Sequence, residues 1–285
     1  MFKQTLKQII RPIYNNLTAG ENIESLQNKI TSLSSNSIYP IVDYVREFSQ
    51  NKNSLDLVAK EYIKLSKIPS FNYVAIKCSS LNFDPIKINT ISRVLINSGK
   101  RILIDSEDVV NSQKINDITN ELIKNHNKSF INIYKTYQMY KKDELNLLSN
   151  DLSQFPYLGV KLVRGAYYNQ DRHTNQLFKL KSETDESFKS AMNLMFTINS
   201  ENVRTFICTH NKENINEMIN LNKSISFKNR IYHASLYGFI PHETERIIKA
   251  NIKAFKYLPY GEIEDAIPYL GRRLLENPKI LYYLI

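Results

Sequence analysis

A chain of 285 residues with 42% hydrophobic and 11% aromatic content can bury a sizeable core, which excludes a disordered or fibrous protein. Its 38 lysines and arginines against 28 acidic residues leave a formal charge of +10. The cations are scattered, without a dense basic block or an aromatic-interleaved basic strip, so the composition points to no nucleic-acid partner while remaining compatible with peripheral membrane contact.

Cys78 and Cys208 stand alone, without zinc spacing, and suit a reducing compartment. No apolar run approaches the roughly 20 residues of a membrane-spanning helix, and no signal-peptide core precedes a small-residue cleavage site. The opening MFKQTLKQIIRPIYNNLTAG carries basic residues and no acidic one. A weak mitochondrial presequence has that character, but the stretch is short and poor in arginine and reads as a plain arm. An accessory helix is expected from Glu21 to Leu33. Short apolar, β-branched segments then alternate with longer stretches of helical spacing. Strands are predicted at 37–45, 73–79, 101–107, 129–138, 158–165, 203–210, 230–238 and 254–261. Predicted helices include 54–66, 141–152, 185–196, 212–221 and 242–251, and EIEDAIPYLGRRLLEN follows the last strand.

Eight such alternations in this length predict an α/β fold, a (β/α)8 TIM-type barrel, with residues 1–36 as an N-terminal helical arm and 37–285 as the barrel. No glycine-rich fingerprint follows the first strand, which disfavours a Rossmann sheet.

A barrel places its functional side chains at the C-terminal strand ends. Those positions hold Asp43 and Glu47, Lys77, Asp105 and Glu107, Gln138, Arg164, Thr209 and His210, and Tyr257 with Tyr260. Lys77, in an apolar strand, could form a Schiff base or anchor an anion; the alternative is a structural pair with Asp105. Asp105 itself reads as a strand-end carboxylate or as a helix N-cap. In KLVRGAYY the small Gly165 and Ala166 let backbone and guanidinium approach a large, flat or phosphate-bearing cofactor, unless the segment is only a bend at the rim. His210 lies far in sequence from His173, His233 and His242, so no metal-ligand spacing is present. Arg272, Arg273 and Glu276 share one helical sector, and Arg273 borders the stripe Ala266, Leu270, Leu274. Across a barrel mouth the two arginines would present forked donors to a carboxylate; in isolation they would be a solvated face.

AIKCSSL, LIDSED, YQMY, KLVRGAY, THN, and YLPYG followed by PYLGRRLLEN together resemble the proline dehydrogenase family, in its order, from AGENIESLQNKITSL to RRLLEN. The resemblance implies an FAD-binding barrel that oxidises L-proline to 1-pyrroline-5-carboxylate and passes electrons to a membrane quinone. It implies that Arg272 and Arg273 clamp the substrate carboxylate, with Lys77 in support and Asp105 beside it. Tyr257 would lie against the proline ring and disfavour 4-hydroxyproline, Leu236 would form an apolar lid, and Glu47 would pair with the clamp arginine and gate access. Gln138, Lys161, Val163, Arg164, Gly165, Ala166, Tyr168, Thr209 and His210 match flavin-contacting positions, Lys181 and Thr184 match more loosely, and Glu276 matches a carboxylate near the flavin. The implied location is the mitochondrial inner membrane in a eukaryote or the cytoplasmic face of the membrane in a bacterium.

The chain departs from the family at Ser235 and Phe239, where glutamine and methionine are expected, and KLVRGAY follows the eukaryotic rather than the commonest bacterial form. Three other readings stand beside this one: a Schiff-base aldolase using Lys77, a basic barrel that binds without catalysis, and a degenerate flavoprotein that has lost activity.

Overall fold

The computed structural model describes residues 2–47, 51–224 and 230–276. Two helices, α1 (Phe2–Leu17) and α2 (Ile23–Ser34), precede β1 (Ile38–Tyr44). There follow α3 (Lys52–Ser66), β2 (Tyr73–Ile76), α4 (Pro85–Asn97), β3 (Arg101–Ile104), α5 (Ser112–His126), β4 (Ile133–Gln138), α6 (Glu144–Gln154) and β5 (Leu158–Val163). The chain continues with a short α7 (Tyr168–Asp171), α8 (Lys181–Thr197), β6 (Val203–Cys208), α9 (Lys212–Asn222), β7 (Ile231–Leu236), α10 (Pro241–Lys249), β8 (Lys253–Tyr260) and α11 (Ile263–Glu276). The eight strands pair in sequence order into a closed parallel barrel, the fold that the sequence cadence predicts. The closing seam runs from Ile38 opposite Ala254 to Tyr44 opposite Tyr260.

Seven of the eight predicted strands run too far at their C-terminal ends, while the one at 129–138 ends at Gln138 as expected but begins only at Ile133. Those at 73–79 and 101–107 stop at Ile76 and Ile104, because the chain must leave the ladder there to reach its crossover. A 3-10 turn, Cys78–Leu81, begins directly after Lys77, so Lys77 and Asp105 sit on the rim rather than within the ladder. The structure adds α4 and α5, helices that hydrophobic spacing alone did not single out. Asp84 caps α4 by accepting from the backbone N–H groups of Ile86 and Lys87, each at 3.0 Å, and Pro85 supplies a first residue with preset φ. The accessory helix starts at Ile23, two residues later than expected, because Asn22 caps it: Asn22 Oδ1 accepts from Ser25 N–H at 2.9 Å.

Strand alternation sends one set of side chains inward. Tyr73, Tyr134, Phe206, Tyr232 and Phe255 fill the barrel, with Phe206 and Phe255 edge-on at 4.9 Å between ring centroids. Burying each such ring is worth about 2–3 kcal/mol, so this end of the barrel is a packed core. The opposite set, including Val42, Val74, Ile104 and Leu258, packs under the helices. Polar side chains are thereby concentrated at the C-terminal mouth.

The first part of the arm forms a helix in its own right. Ile10, Ile13, Tyr14 and Leu17 recur at helical spacing and make one apolar stripe, which packs on Ile263, Ala266 and Leu270 of α11. Tyr14 donates to the Gly261 carbonyl at 2.5 Å, and Ala19 N–H donates to the Pro259 carbonyl at 2.7 Å. These bonds hold α1 against the chain that enters α11.

Candidate active site

A cavity of about 480 Å3 opens at the C-terminal mouth, walled by strand ends, their following loops and one face of α11. Its floor is a buried charge network. The Lys77 ammonium is paired with the Asp43 carboxylate and lies 4.0 Å from Asp105 Oδ2. Lys161 donates to Asp105 Oδ1 at 2.7 Å and to the Tyr257 hydroxyl at 2.9 Å, and Tyr257 in turn donates to Asp105 Oδ1 at 2.6 Å. Two ammoniums thus offset two carboxylates, as a charge cluster out of water requires.

Burial pushes the Asp43 carboxyl up to about 6, against the pull of Lys77. Burial also acts on Asp105, but Lys161 and then Lys77 outweigh it and hold that carboxyl below the usual range. For Lys77 desolvation works against the charge, and the carboxylates of Asp43 and Asp105 overcome it, raising the ammonium above its ordinary value. A lysine held as a cation is a poor nucleophile, since Schiff-base chemistry needs the neutral amine. The aldolase reading is therefore not favoured.

The structural pair of Lys77 with Asp105 is present at 4.0 Å, and Asp43 adds a closer partner. The register of β1 on β2 aligns Asp43 with Ala75, two residues before Lys77. Asp105 caps no helix; α5 begins only at Ser112.

Over this floor stands α11. Arg272 Nη2 lies 2.6 Å from Glu47 Oε1, in a pair whose carboxylate side chain is only 4% exposed, and its guanidinium rests over the Tyr167 ring at 5.1 Å. Arg273 lines the same cavity and lies over Tyr269 at 5.7 Å. Leu236 and Tyr257 border the space between arginines and floor.

The β4-to-β6 side carries the other predicted residues. Gln138 donates to Ser106 Oγ at 2.9 Å and to the Glu107 carbonyl at 2.8 Å. Arg164 is fixed by Asp185 and Thr209, each at 3.0 Å, and by Asn214. Val163, Gly165, Ala166, Thr209 and His210 all line the cavity. His210 Nε2 accepts from Leu236 N–H at 3.1 Å, and its ring stacks on Phe239 at 4.8 Å. Lys181 reaches the rim and pairs with Asp185.

Two predicted residues stand apart. Tyr168 is 50% exposed and lies outside the cavity wall, whereas its neighbour Tyr167 is buried and lines it. Thr184, in the first turn of α8, is half-buried and also outside the wall. The Glu276 side chain lies outside the described residues.

The matching family model, described as proline dehydrogenase, covers residues 26–281. The chain belongs to the proline dehydrogenase family. Among its relatives is the mitochondrial proline dehydrogenase 1 of Caenorhabditis elegans, 32% identical over 209 residues, 67% of this chain and 34% of that one. The carbapenem antibiotics biosynthesis protein CarD of Pectobacterium carotovorum subsp. carotovorum is 27% identical over 90% of this chain and 77% of its own length. The hydroxyproline dehydrogenase of Xenopus laevis is 26% identical over 92% of this chain and 60% of its own. Proline utilization A from Bdellovibrio bacteriovorus superposes with a TM-score of 0.86 at 17% identity, covering 96% of this chain and 34% of that structure. That likeness is one of fold. The chain thus spans about a third of the nematode relative and of the superposed structure.

Within this member of the proline dehydrogenase family, sequence reasoning passed over several residues of the site. Asp43 was visible as a strand-end carboxylate, and its pairing with Lys77 follows from strand register. Tyr167, Ser106 and Tyr269 also line the cavity. Asp185 and Asn214 fix Arg164 from two different helices, a relation that only the folded chain creates. No helix among the described residues is long and apolar enough to cross a membrane.

Proposed function

We propose that residues 37–285 form the FAD-binding catalytic barrel of an L-proline dehydrogenase, with residues 1–36 as its helical arm, and that the product is 1-pyrroline-5-carboxylate. The observation that carries this reading is the division of the cavity wall by charge. Its acidic lining residues, Asp43, Glu47 and Asp105, all follow or end β1 and β3, while the lining from β4 to β7 contains Lys161, Arg164 and Lys181 and no carboxylate. An acid-free wall with cations and neutral donors suits a cofactor bearing a diphosphate. Gln138, Lys161, Arg164, Thr209 and His210 would hold it, together with the backbone around Gly165 and Ala166. FAD, when bound, supplies the two-electron acceptor that no side chain here can replace.

The other half suits a cyclic amino acid. Arg272 and Arg273 offer forked donors to its carboxylate, Lys77 adds a third cation from below, and Tyr257 and Leu236 bound the apolar ring. The substrate amine must be neutral when its neighbouring carbon gives up a hydride, so fixing the carboxylate end is what aligns that carbon. A membrane quinone takes the electrons onward in this reading. The basic surface is compatible with docking at the mitochondrial inner membrane of a eukaryote or the cytoplasmic face of a bacterial membrane.

The test is an absorbance spectrum of purified, FAD-supplemented protein, recorded anaerobically before and after addition of L-proline. Bleaching of a flavin spectrum is expected. A flavin band that proline leaves untouched would mean another substrate or a dead site, and failure to take up FAD would remove the cofactor from the reading.

Discrimination at the ring provides a second test. The Tyr257 ring is held in place by Asp105 and Lys161, which leaves it little freedom to yield to a 4-hydroxyl group. Tyr257→Ser is expected to narrow the kcat/KM ratio of proline over 4-hydroxyproline roughly tenfold, the usual scale for reshaping a pocket by a small group. An unchanged ratio would place the tyrosine outside the ring pocket.

A further inference from the structure

Lys256 precedes Tyr257 on β8 and, by strand alternation, faces away from the barrel interior. It is 5% exposed. Its ammonium donates to Ser235 Oγ at 2.7 Å and to the Phe239 carbonyl at 2.6 Å, and β7–β8 register places Ser235 and Lys256 side by side. Burial, unopposed by any neighbouring carboxylate, pulls the ammonium down to about 8. It remains mostly protonated at neutral pH. A buried cation without an acidic partner is costly; Lys135 in the same barrel has Asp151 at 2.6 Å, whereas Lys100, like Lys256, is held by neutral oxygens, the carbonyls of Ile68 and Phe71.

Ser235 borders the cavity. A hydroxyl has one hydrogen to donate and two lone pairs to accept with. Because its oxygen already accepts from an ammonium, its hydrogen is left to be donated, and no hydrogen bond donated by Ser235 occurs among the described residues. An ammonium behind a hydroxyl polarises it and strengthens that donation. The acid-free wall against which this donor sits is the wall assigned above to the cofactor.

We propose that Lys256 and Ser235 form a relay, a charge-backed hydroxyl donor that binds an acceptor atom of the flavin cofactor. Ser235 makes the contact, and Lys256 is a positioning residue acting through it. This rests on the flavin reading of the preceding section.

The experiment is equilibrium titration of flavin-stripped protein with FAD, followed by flavin fluorescence, for the wild type, Ser235→Ala, Lys256→Met and the double variant. Ser235→Ala is expected to weaken FAD binding about tenfold, the scale of one hydrogen bond aided by charge, and to lower Tm somewhat, because it takes one of two acceptors from a buried ammonium. Lys256→Met should weaken it at least as much, and the double variant no more than Lys256→Met alone, since both remove one relay.

Ser235→Ala with wild-type affinity overturns the relay even if Lys256→Met is crippled, because Lys256 would then serve only to hold the Phe239 loop. Single effects that multiply in the double variant overturn it as well. Wild-type protein that takes up no FAD would instead sink the flavin reading beneath it.

Discussion

Arg273→Met is expected to raise the KM for L-proline about 100-fold, the loss of a charge-assisted, forked contact to a carboxylate, while FAD stays bound. Both arginines face the cavity, but the two substitutions differ in what they leave behind. Arg272 is paired at 2.6 Å with Glu47, whose side chain is 4% exposed. Arg272→Met therefore strands a buried carboxylate, a loss worth about 3–5 kcal/mol, and should lower Tm as well as raising KM. Adding Glu47→Gln to Arg272→Met should restore much of that Tm and none of the proline affinity. Steady-state kinetics with a flavin-to-protein absorbance ratio and a melting curve separate these effects. Unchanged KM in both single variants would end the assignment of a carboxylate clamp.

Gly165→Ala should be the most damaging change of a single methyl group. Gly165 sits at φ +139°, and a Cβ built there would lie 1.5 Å from Tyr140 Cδ1. Tyr140 cannot easily swing aside, because its hydroxyl donates to the buried Asp171 carboxylate at 2.7 Å and its backbone N–H to the Arg164 carbonyl at 2.8 Å. Backbone strain and overlap together should cost about 3 kcal/mol or more, lowering Tm by roughly 5–10 °C in a chain of this size. The displaced segment carries Arg164 and Ala166, so flavin content should fall with it. Tyr140→Ala removes the overlap but also a buried ring and a hydrogen bond to Asp171, so its loss of Tm in the Gly165→Ala background should be clearly smaller than the loss it causes alone. Gly165→Ala protein with normal Tm and flavin content would show that this bend tolerates a side chain.

The barrel was legible in the sequence because parallel strands buried on both sides must be apolar runs, and eight of them alternate with helical spacing. Their ends were less legible. Nothing local tells YVAIKCS to stop pairing at Ile76, since the limit is set by where its neighbours leave the sheet. Lys77, Asp105, Arg272 and Arg273 could be singled out because charged groups beside apolar runs are conspicuous. Which charge meets which could not, as Asp43 and Lys77 lie 34 positions apart and meet only through strand register. The adjacent tyrosines after Ala166 show the same limit on a smaller scale. Tyr167 turns in and Tyr168 out, and the four-residue α7 is too short to carry a periodicity that would say so. Thr184 lies in the first turn of α8, beyond the cavity wall.

The apolar stripe of α1 bears on α11 across 247 positions of chain, from Tyr14 to Gly261. During synthesis the brace emerges from the ribosome first, and the helix it supports emerges only after all eight strands have been made. Docking of that brace closes a loop about as long as the one closed by the β1–β8 seam, from Ile38 to Ala254, so barrel closure and the seating of the double arginine are both late steps, after the local pairing of β4 to β7. Such a long closure is slow relative to local pairing. A newborn molecule would therefore hold the wall proposed for the flavin before it could grip an amino acid.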